Sequence, residues 1–157
     1  MISVIVPVHN EQDNIASLLK EITDASARVR ITEVIYIDDG SSDKTFETLT
    51  KLRASHPALR VLKHDKKSGQ SAAMWSGIRG AKNPVIVTLD GDGQNNPADI
   101  EKLYALFEQK GGHMAAIMVA GQREKREDNW IRRFSSRFAN KIRAGLLKDK
   151  TRDTGCS

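Results

Sequence analysis

The feature with the clearest chemical use is a pair of acids, Asp90 and Asp92, which flank Gly91 and follow the apolar stretch Val85–Leu89. Carboxylates at positions i and i+2 just past a buried strand can converge on one hard cation. Mg²⁺ or Mn²⁺ binds carboxylate oxygens together with phosphate oxygens of a substrate. The same spacing also suits a turn whose acids cap a helix. The pair therefore predicts either a cation site for a phosphate-bearing ligand or a capping turn.

A second acidic pair, Asp38 and Asp39, closes the apolar stretch Glu33–Ile37. Two adjacent acids at a strand end are costly unless they are exposed, hydrogen-bonded or near a cation. One of them could accept hydrogen bonds from a nucleobase or ribose, as acids do beside dinucleotide sites. A capping turn is the alternative. His9 could lie against a base, or it is an ordinary loop histidine.

A basic loop over the same predicted edge contains Lys66 and Lys67, followed by Ser68, Gly69 and Gln70. The loop could bind a phosphate, or it is a surface turn. The polar clusters that follow predicted strand ends are Pro7–Asn14, Asp38–Asp43 and Asp90–Gln94, and their shared position is the main argument for a binding site.

The polar clusters are positioned by strands that alternate with amphipathic helices. One helix carries Ile15, Leu18, Leu19 and Ile22 at helical spacing, and Ser71–Ala81 is another. This alternation predicts a mostly parallel α/β sheet with helices on both faces, and ligands of such sheets bind at the carboxyl ends of strands. Apolar, β-branched stretches bounded by polar residues indicate five strands: Ile2–Val6 (ended by Pro7), Glu33–Ile37, Arg60–Leu62, Val85–Leu89 and Met114–Val119.

The charge is unevenly distributed along the 157 residues, whose net charge is +5. Residues 1–120 contain 14 Lys and Arg against 15 Asp and Glu, whereas residues 121–157 contain 11 against 5. A basic segment suits an anionic partner such as a phosphate or a membrane surface, or it is a solvated face. We therefore divide a predicted single domain, 1–157, into a ligand-binding portion, 1–120, and a basic portion, 121–157.

Several classes of protein are excluded or disfavoured by what the sequence lacks. One cysteine, Cys156, allows no internal disulfide, and no apolar run is long enough to span a membrane. The Walker A, G-x-G-x-x-G and G-x-S-x-G motifs are missing, and few aromatic side chains are available to stack on nucleic acid. We expect a cytoplasmic protein that does not bind nucleic acid.

Three motifs in order resemble the family 2 glycosyltransferases, which have the Rossmann-like GT-A fold. The first is the opening Ile2–Glu11, the second is Ile35–Asp43, and the third is the stretch Val87–Pro97 around the D-x-D acids. A D-x-D-x-Q sequence followed shortly by proline is most similar to the dolichol-phosphate mannosyltransferases and their bacterial polyprenyl-phosphate relatives.

The resemblance implies a role for each matching position. Asp90, Asp92 and Gln94 would hold Mg²⁺ or Mn²⁺ with the diphosphate of a GDP- or UDP-sugar, and Asp39 would hydrogen-bond the base with Asp38 beside it. The other residues implied at the nucleotide are Pro7, His9 and Glu11, with Lys67 in the neighbouring basic loop. On the acceptor side, Arg123 and either Arg132 or Arg133 would bind a phosphate, and Asp153 lies in a stretch similar to a later family motif.

The implied reaction moves the sugar to a polyprenyl phosphate with inversion at the anomeric carbon. A phosphate monoester is already anionic at neutral pH and needs no general base, since its second pKa is about 6. Arginines would position this anion. A lipid acceptor of this kind is compatible with a protein that acts peripherally at the cytoplasmic face of the membrane. If the acceptor is instead a sugar hydroxyl of a surface polysaccharide, Asp153 becomes the candidate base. A nucleotide-binding module without catalysis is the third alternative.

Overall fold

The computed structural model describes residues 1–114 and 116–121. Residues 1–119 form one compact unit. Its elements alternate along the chain: β1 (Ile2–Val8), α1 (Ile15–Ala25), β2 (Ile31–Asp38), α2 (Thr45–Arg53), β3 (Leu59–Lys63), α3 (Gln70–Gly80), β4 (Val85–Thr88), α4 (Asp99–Gln109) and a short 3₁₀ turn (Gly112–Met114).

The four strands form one parallel sheet in the order β3-β2-β1-β4. Side chains alternate between its two faces, of which one is covered by α1, α2 and α4 and the other by α3. Val4, Val6 and Tyr36 face a large apolar cluster that includes Ile15 of α1 and Leu49 of α2. Ile100 of α4 also belongs to that cluster. On the opposite face, Ile5, Ile35 and Ile37 pack with Ala73 of α3. The predicted α/β fold, with a parallel sheet between helices, is confirmed.

The predicted α1 apolar face is also confirmed, since the side chains at its helical spacing are all buried: Ile15, Leu18, Leu19 and Ile22. A strip of this kind provides most of the stability of a surface helix, because burial of each such side chain contributes about 1.5–3 kcal/mol.

Pro7 does not end β1, as the sequence predicted, because the strand continues to Val8. Pro7 and Val8 remain in register with Ile37 and Asp38 of β2. Pairing of β1 with β4 stops at Ile5, whose carbonyl accepts the last bond on that side from the Leu89 amide. Along a strand, successive residues direct their backbone N–H groups to opposite neighbouring strands. The N–H that Pro7 lacks would point towards β4, which no longer pairs with β1 at this position, so no hydrogen bond of the sheet is lost.

The fifth predicted strand, Met114–Val119, is wrong for the residues that the structure describes. Met114 ends the 3₁₀ turn, and residues 116–121 pair with no strand of the described sheet. Met114 and Met118 are 85% and 89% exposed. An apolar run forms a buried strand only where it pairs with a sheet edge and is covered by another layer, and in the described residues this run pairs with neither edge strand, β3 or β4.

A buried polar cluster connects the amino-terminal ends of β1, β2 and β3 with the chain just before β4. Glu33 accepts hydrogen bonds from Ser3 Oγ (2.6 Å), from the Lys82 amide (2.9 Å) and from Arg60. Burial alone would raise the pKa of Glu33, but these bonds and the nearby guanidinium outweigh it and lower the pKa. Both ends of the connection through α3 are thereby fixed to the sheet.

No helix in residues 1–114 and 116–121 combines the length and the apolar character needed to cross a bilayer.

Candidate functional site

Four loops meet at the carboxyl edge of the sheet, and each follows one strand: residues 9–14, 39–44, 64–69 and 89–98. The chain runs outward from β1 to β2 and β3, and then crosses to β4 on the other side of β1. The strand order therefore reverses between β1 and β4. Open α/β sheets bind their ligands in the crevice at such a switch point.

The loops after β1 and β2 are joined by side-chain hydrogen bonds. The Asn10 amide donates to Ser41 Oγ (2.9 Å), and Asn10 Oδ1 accepts from the Ser42 amide (2.8 Å). Asn10 adopts a positive φ of 58°, a conformation that asparagine tolerates better than most residues. The Glu11 amide donates to Thr45 Oγ1 (2.9 Å). Because these bonds connect residues about thirty positions apart, they set the spacing of the two loops.

The carboxylate of Asp39 connects the β2 loop to the β3 loop. Its Oδ1 accepts from the Ser68 amide (2.8 Å) and lies 2.8 Å from His64 Nδ1, while Oδ2 accepts from the Gly69 amide (2.7 Å). Burial opposes the charged form, but the bonds from His64 and the two amides prevail and lower the pKa of Asp39. Both oxygens of this acid are engaged by the protein itself.

Gly40 allows the β3 loop to approach at this point. A Cβ at position 40 would lie 2.6 Å from both the carbonyl carbon of Lys66 and the amide nitrogen of Lys67. The glycine also has a φ of +65°. The backbone of the basic loop therefore rests directly on the turn after β2, with the side chain of Lys67 exposed.

Asp38 differs from its neighbour. Its Oδ1 accepts from the Ser41 amide (3.1 Å), whereas its Oδ2 is buried and has no hydrogen-bond partner among the described residues. A buried carboxylate oxygen without a partner is unfavourable, and such atoms in native structures call for an explanation such as a missing ligand or ion.

His9 also has one ring nitrogen fixed by the protein. Its Nδ1 lies 3.0 Å from the carbonyl oxygen of Asp39. A carbonyl oxygen only accepts, so Nδ1 carries the hydrogen. Its position just after β1 places the half-buried ring at the switch-point edge.

The D-x-D acids lie at the other side of the switch point. Asp90 Oδ1 accepts a hydrogen bond from Gln70 Nε2 (2.7 Å), and its Oδ2 lies 3.4 Å from Asn95 Nδ2. Asp92 Oδ1 accepts a hydrogen bond from the backbone N–H of Gln94 (3.0 Å). Asp92 is exposed. The carboxylates of both acids are therefore within reach of solvent at the crevice, which is what binding a ligand requires.

Gly91 holds this loop against the end of β1. A Cβ at position 91 would lie 2.4 Å from Val8 Cγ1 and 2.9 Å from the carbonyl oxygen of Pro7. Only a glycine lets the two strand ends come this close. Pro7 thus contributes through its backbone to the placement of the D-x-D acids.

The donor set suits a cation that is shared with a ligand. Within residues 1–114 and 116–121, no three His, Cys, Asp or Glu side chains are gathered as a metal-binding group. Mg²⁺ sites at substrate phosphates commonly use only one or two carboxylates and complete the shell with phosphate and water. Asp90 and Asp92 fit that kind of site, and the amide oxygen of Gln94 is a further hard ligand.

The structure brings all of the residues predicted at the nucleotide and the cation to this one edge: Pro7, His9, Glu11, Asp38, Asp39, Lys67, Asp90, Asp92 and Gln94. One carboxylate oxygen of Glu11 is already engaged within the protein, since Oε2 accepts a hydrogen bond from Asn14 Nδ2 (2.7 Å). The predicted acceptor-side residues lie outside the described residues: Arg123, Arg132, Arg133 and Asp153.

Sequence reasoning missed His64, did not foresee Asn95 at Asp90, and read Gln70 only as part of a basic loop. His64 follows a predicted strand inside a polar loop, as do the acids that the sequence did identify. That position was the available signal for it.

Two solved structures that are similar to this chain contain a bound nucleotide sugar. The mannosyltransferase PcManGT from Pyrobaculum calidifontis, in complex with GDP-Man and Mn²⁺, has a TM-score of 0.56 and 28% identity over 62% of this chain and 29% of its own. TarS from S. aureus (residues 1–349, in complex with UDP-GlcNAc) has a TM-score of 0.55 and 25% identity over 69% of this chain and 31% of its own. The fold is that of the GT-A glycosyltransferases.

The sequence comparisons identify the family. Residues 3–157 match the profile of "Glycosyl transferase family 2", and the chain belongs to that family. It is 34% identical to an undecaprenyl-phosphate 4-deoxy-4-formamido-L-arabinose transferase of Edwardsiella ictaluri, over 99% of this chain and 47% of that protein. It is 33% identical to a dodecaprenyl-phosphate galacturonate synthase of Rhizobium johnstonii, over 99% and 46%. The predicted resemblance to the polyprenyl-phosphate branch is confirmed, and the chain spans about half the length of these relatives.

Proposed function

We propose that the chain forms the donor-binding part of an inverting glycosyltransferase that moves a sugar from a GDP- or UDP-sugar to a polyprenyl phosphate. The observation that carries this proposal is the meeting of the D-x-D loop with the end of β1 at the switch point of the sheet. The names of the relatives, which act on undecaprenyl and dodecaprenyl phosphate, support the acceptor.

Asp90 and Asp92, with Gln94, would hold Mg²⁺ or Mn²⁺ together with the donor diphosphate. The bound ion would supply neutralisation of the leaving diphosphate. The Mn²⁺ and GDP-Man in PcManGT support this assignment. Lys67, exposed on the adjoining loop, would add positive charge near the phosphates.

For the base, the geometry favours Asp38 over Asp39. Both oxygens of Asp39 already accept hydrogen bonds from the protein, whereas Asp38 Oδ2 has no partner among the described residues. Asp38 is 0% exposed, so an N–H of a nucleobase would satisfy that oxygen only after the surrounding loops move to admit it. Asp39 would then act by holding the loops that surround the base, and His9 would border it.

On the acceptor side, the sequence alone supports the assignment. Arg123 and Arg132 or Arg133 would bind the phosphate of the lipid at the cytoplasmic membrane face. The anionic phosphate oxygen would attack the anomeric carbon while the nucleoside diphosphate leaves. A hydroxyl acceptor would require a base instead, for which Asp153 is the candidate.

Calorimetric titration with GDP, UDP, GDP-mannose and UDP-GlcNAc, first with Mn²⁺ and then with EDTA, tests the donor site. We expect one nucleotide to bind and EDTA to weaken its binding. Asp92→Asn should weaken binding about tenfold in Mn²⁺, equivalent to about 1.4 kcal/mol, and should have little effect in EDTA. Asp99→Asn is the matched control, since Asp99 is an exposed acid that bonds Lys102 on α4. Equal affinity of Asp92→Asn and the unmodified chain in Mn²⁺ would refute the cation assignment.

Asp38→Asn, in the same titration, tests the base. Asparagine keeps the shape of the side chain but presents an N–H₂ group in place of one acceptor oxygen. We expect weaker binding both in Mn²⁺ and in EDTA, because the base contact does not depend on the cation. A loss confined to Mn²⁺ would argue against contact with the base.

A further inference from the structure

His64 bridges two elements that the sequence places far apart. Its Nδ1 lies 2.8 Å from Asp39 Oδ1, and its Nε2 lies 2.9 Å from Ser76 Oγ. The ionised carboxylate only accepts, so Nδ1 carries the hydrogen, and in the neutral ring Nε2 accepts from the Ser76 hydroxyl. The side chain is only 18% exposed, which protects both bonds from water.

Through Asp39 and Ser76, the ring fixes helix α3 at two points. Asp39 accepts from the amides of Ser68 and Gly69 immediately before the helix, and Ser76 lies nearly two turns inside it. A helix held at its start and again further along can neither slide nor rotate freely relative to the sheet. The first residue of α3 is Gln70, which donates to Asp90 at 2.7 Å.

We propose that His64 is a positioning residue that couples the base end of the donor site to its cation end. It holds Asp39 and α3 in one register, so that Gln70 presents the Asp90 carboxylate in the orientation the cation needs. The inference rests on the proposed donor site, and nothing in it requires His64 to touch the nucleotide.

An Asp-His-Ser series also occurs in acyl-transfer enzymes, where serine is the nucleophile. That role does not fit Ser76. It lies inside α3, where the backbone N–H groups are used by the helix, so no pair of free donors stands beside Oγ to stabilise an oxyanion. The series therefore acts as a structural link.

Three variants test the coupling in the full chain. His64→Ala removes both bonds, whereas His64→Asn keeps a donor near the position of Nδ1 and cannot reach Ser76. His56→Ala is the matched control, since His56 bonds Leu52 at the end of α2, before β3. For each variant, GDP and UDP affinity is measured with Mn²⁺ and with EDTA, and hydrogen exchange of the Ser68 and Gly69 amides is followed by NMR.

We expect His64→Ala to raise the dissociation constant about tenfold in Mn²⁺, the size expected for a lost hydrogen bond to a charged group. The gain in affinity that Mn²⁺ provides should shrink, and the two amides should exchange faster. His64→Asn should restore the protection of the amides, because it keeps the donor to Asp39, but not the full Mn²⁺ gain, because it leaves Ser76 without its partner. His56→Ala should change neither.

Two other results would overturn the coupling. If the unmodified chain binds nucleotide and His64→Ala binds it equally well, with the same Mn²⁺ gain, only the role of His64 fails. If the unmodified chain binds no nucleotide, the donor site itself fails and the coupling with it.

Discussion

Each end of the sheet buries an acidic side chain, Glu33 at the amino end and Asp38 at the carboxyl end, but their surroundings differ. Glu33 is bonded by Ser3, Arg60 and the Lys82 amide. Asp38 has one bond, from the Ser41 amide, and an oxygen without a partner among the described residues. A polar group satisfied within the fold stabilises it, whereas a buried acceptor without a partner is costly and calls for a ligand, an ion or a movement of the loops to complete its bonding. The difference separates the end of the sheet where the buried acid is satisfied within the fold from the end where we propose that the donor binds.

The largest expected effect comes from breaking the amino end. Glu33→Ala leaves Ser3 Oγ and the Lys82 amide without their acceptor and removes the carboxylate partner of Arg60, which keeps its bond to the Gly80 carbonyl, so the free energy of unfolding should fall by about 3 kcal/mol. Urea denaturation measures the loss. Glu47→Ala is the control, because Glu47 forms an exposed pair with Lys51 on α2 and should change stability very little.

Where the Glu33→Ala chain is still folded, its nucleotide affinity should match that of the unmodified chain. A large loss of affinity with intact folding would contradict the separation of the two ends.

Gly91→Ala should disturb the binding end with a smaller cost in stability. The added methyl group would lie 2.4 Å from Val8 Cγ1 and 2.9 Å from the Pro7 carbonyl oxygen, so the D-x-D loop must move away from β1. We expect about 2 kcal/mol of destabilisation and loss of the Mn²⁺-dependent part of nucleotide binding. Gly93→Ala provides the comparison, because nothing lies within 4 Å of its added Cβ and only its φ of +72° is unfavourable.

Denaturation and calorimetry on both glycine variants check the expectation. Equal effects of the two substitutions would mean that the contact with β1 does not position the acids.

The smallest expected effect is a loss of stability at acidic pH, to which both ends of the sheet should contribute. Glu33 and Asp39 have pKa values below those of the unfolded chain, because hydrogen bonds and charges outweigh the opposing effect of burial. The unfolded chain then binds more protons below about pH 5, so stability should fall as the pH drops through the unfolded values near 4 and the lower folded values. Denaturation at pH 7 and pH 4 measures this, and Glu33→Gln and Asp39→Asn should each flatten the dependence. Stability that rises on acidification would contradict both assignments.

The sequence predicted the architecture because each strand of the sheet is a separate apolar stretch with a polar loop behind it. It failed at Met114–Val119, since composition does not reveal whether an apolar stretch has an edge to pair with. It located both acidic pairs, but it did not identify which acid of Asp38 and Asp39 keeps a spare oxygen. That distinction depends on the backbone N–H groups of Ser68 and Gly69, which lie 29 and 30 residues after Asp39 in the chain. It also depends on His64, whose partners Asp39 and Ser76 come from two other elements.

The attachment of Asp39 to main-chain N–H groups affects how the site could be redesigned. Every residue except proline provides such a group, so the bond from position 68 does not depend on the side chain there, whereas His64, which bonds Asp39, and Gly69, whose φ is +94°, should be kept. Position 66, which is exposed and has no assigned role, is therefore suitable for randomised libraries directed at the proposed donor site, and position 68 tolerates any residue that keeps its N–H. Gly40 must stay fixed in such libraries, because it makes room for the backbone of the varied loop.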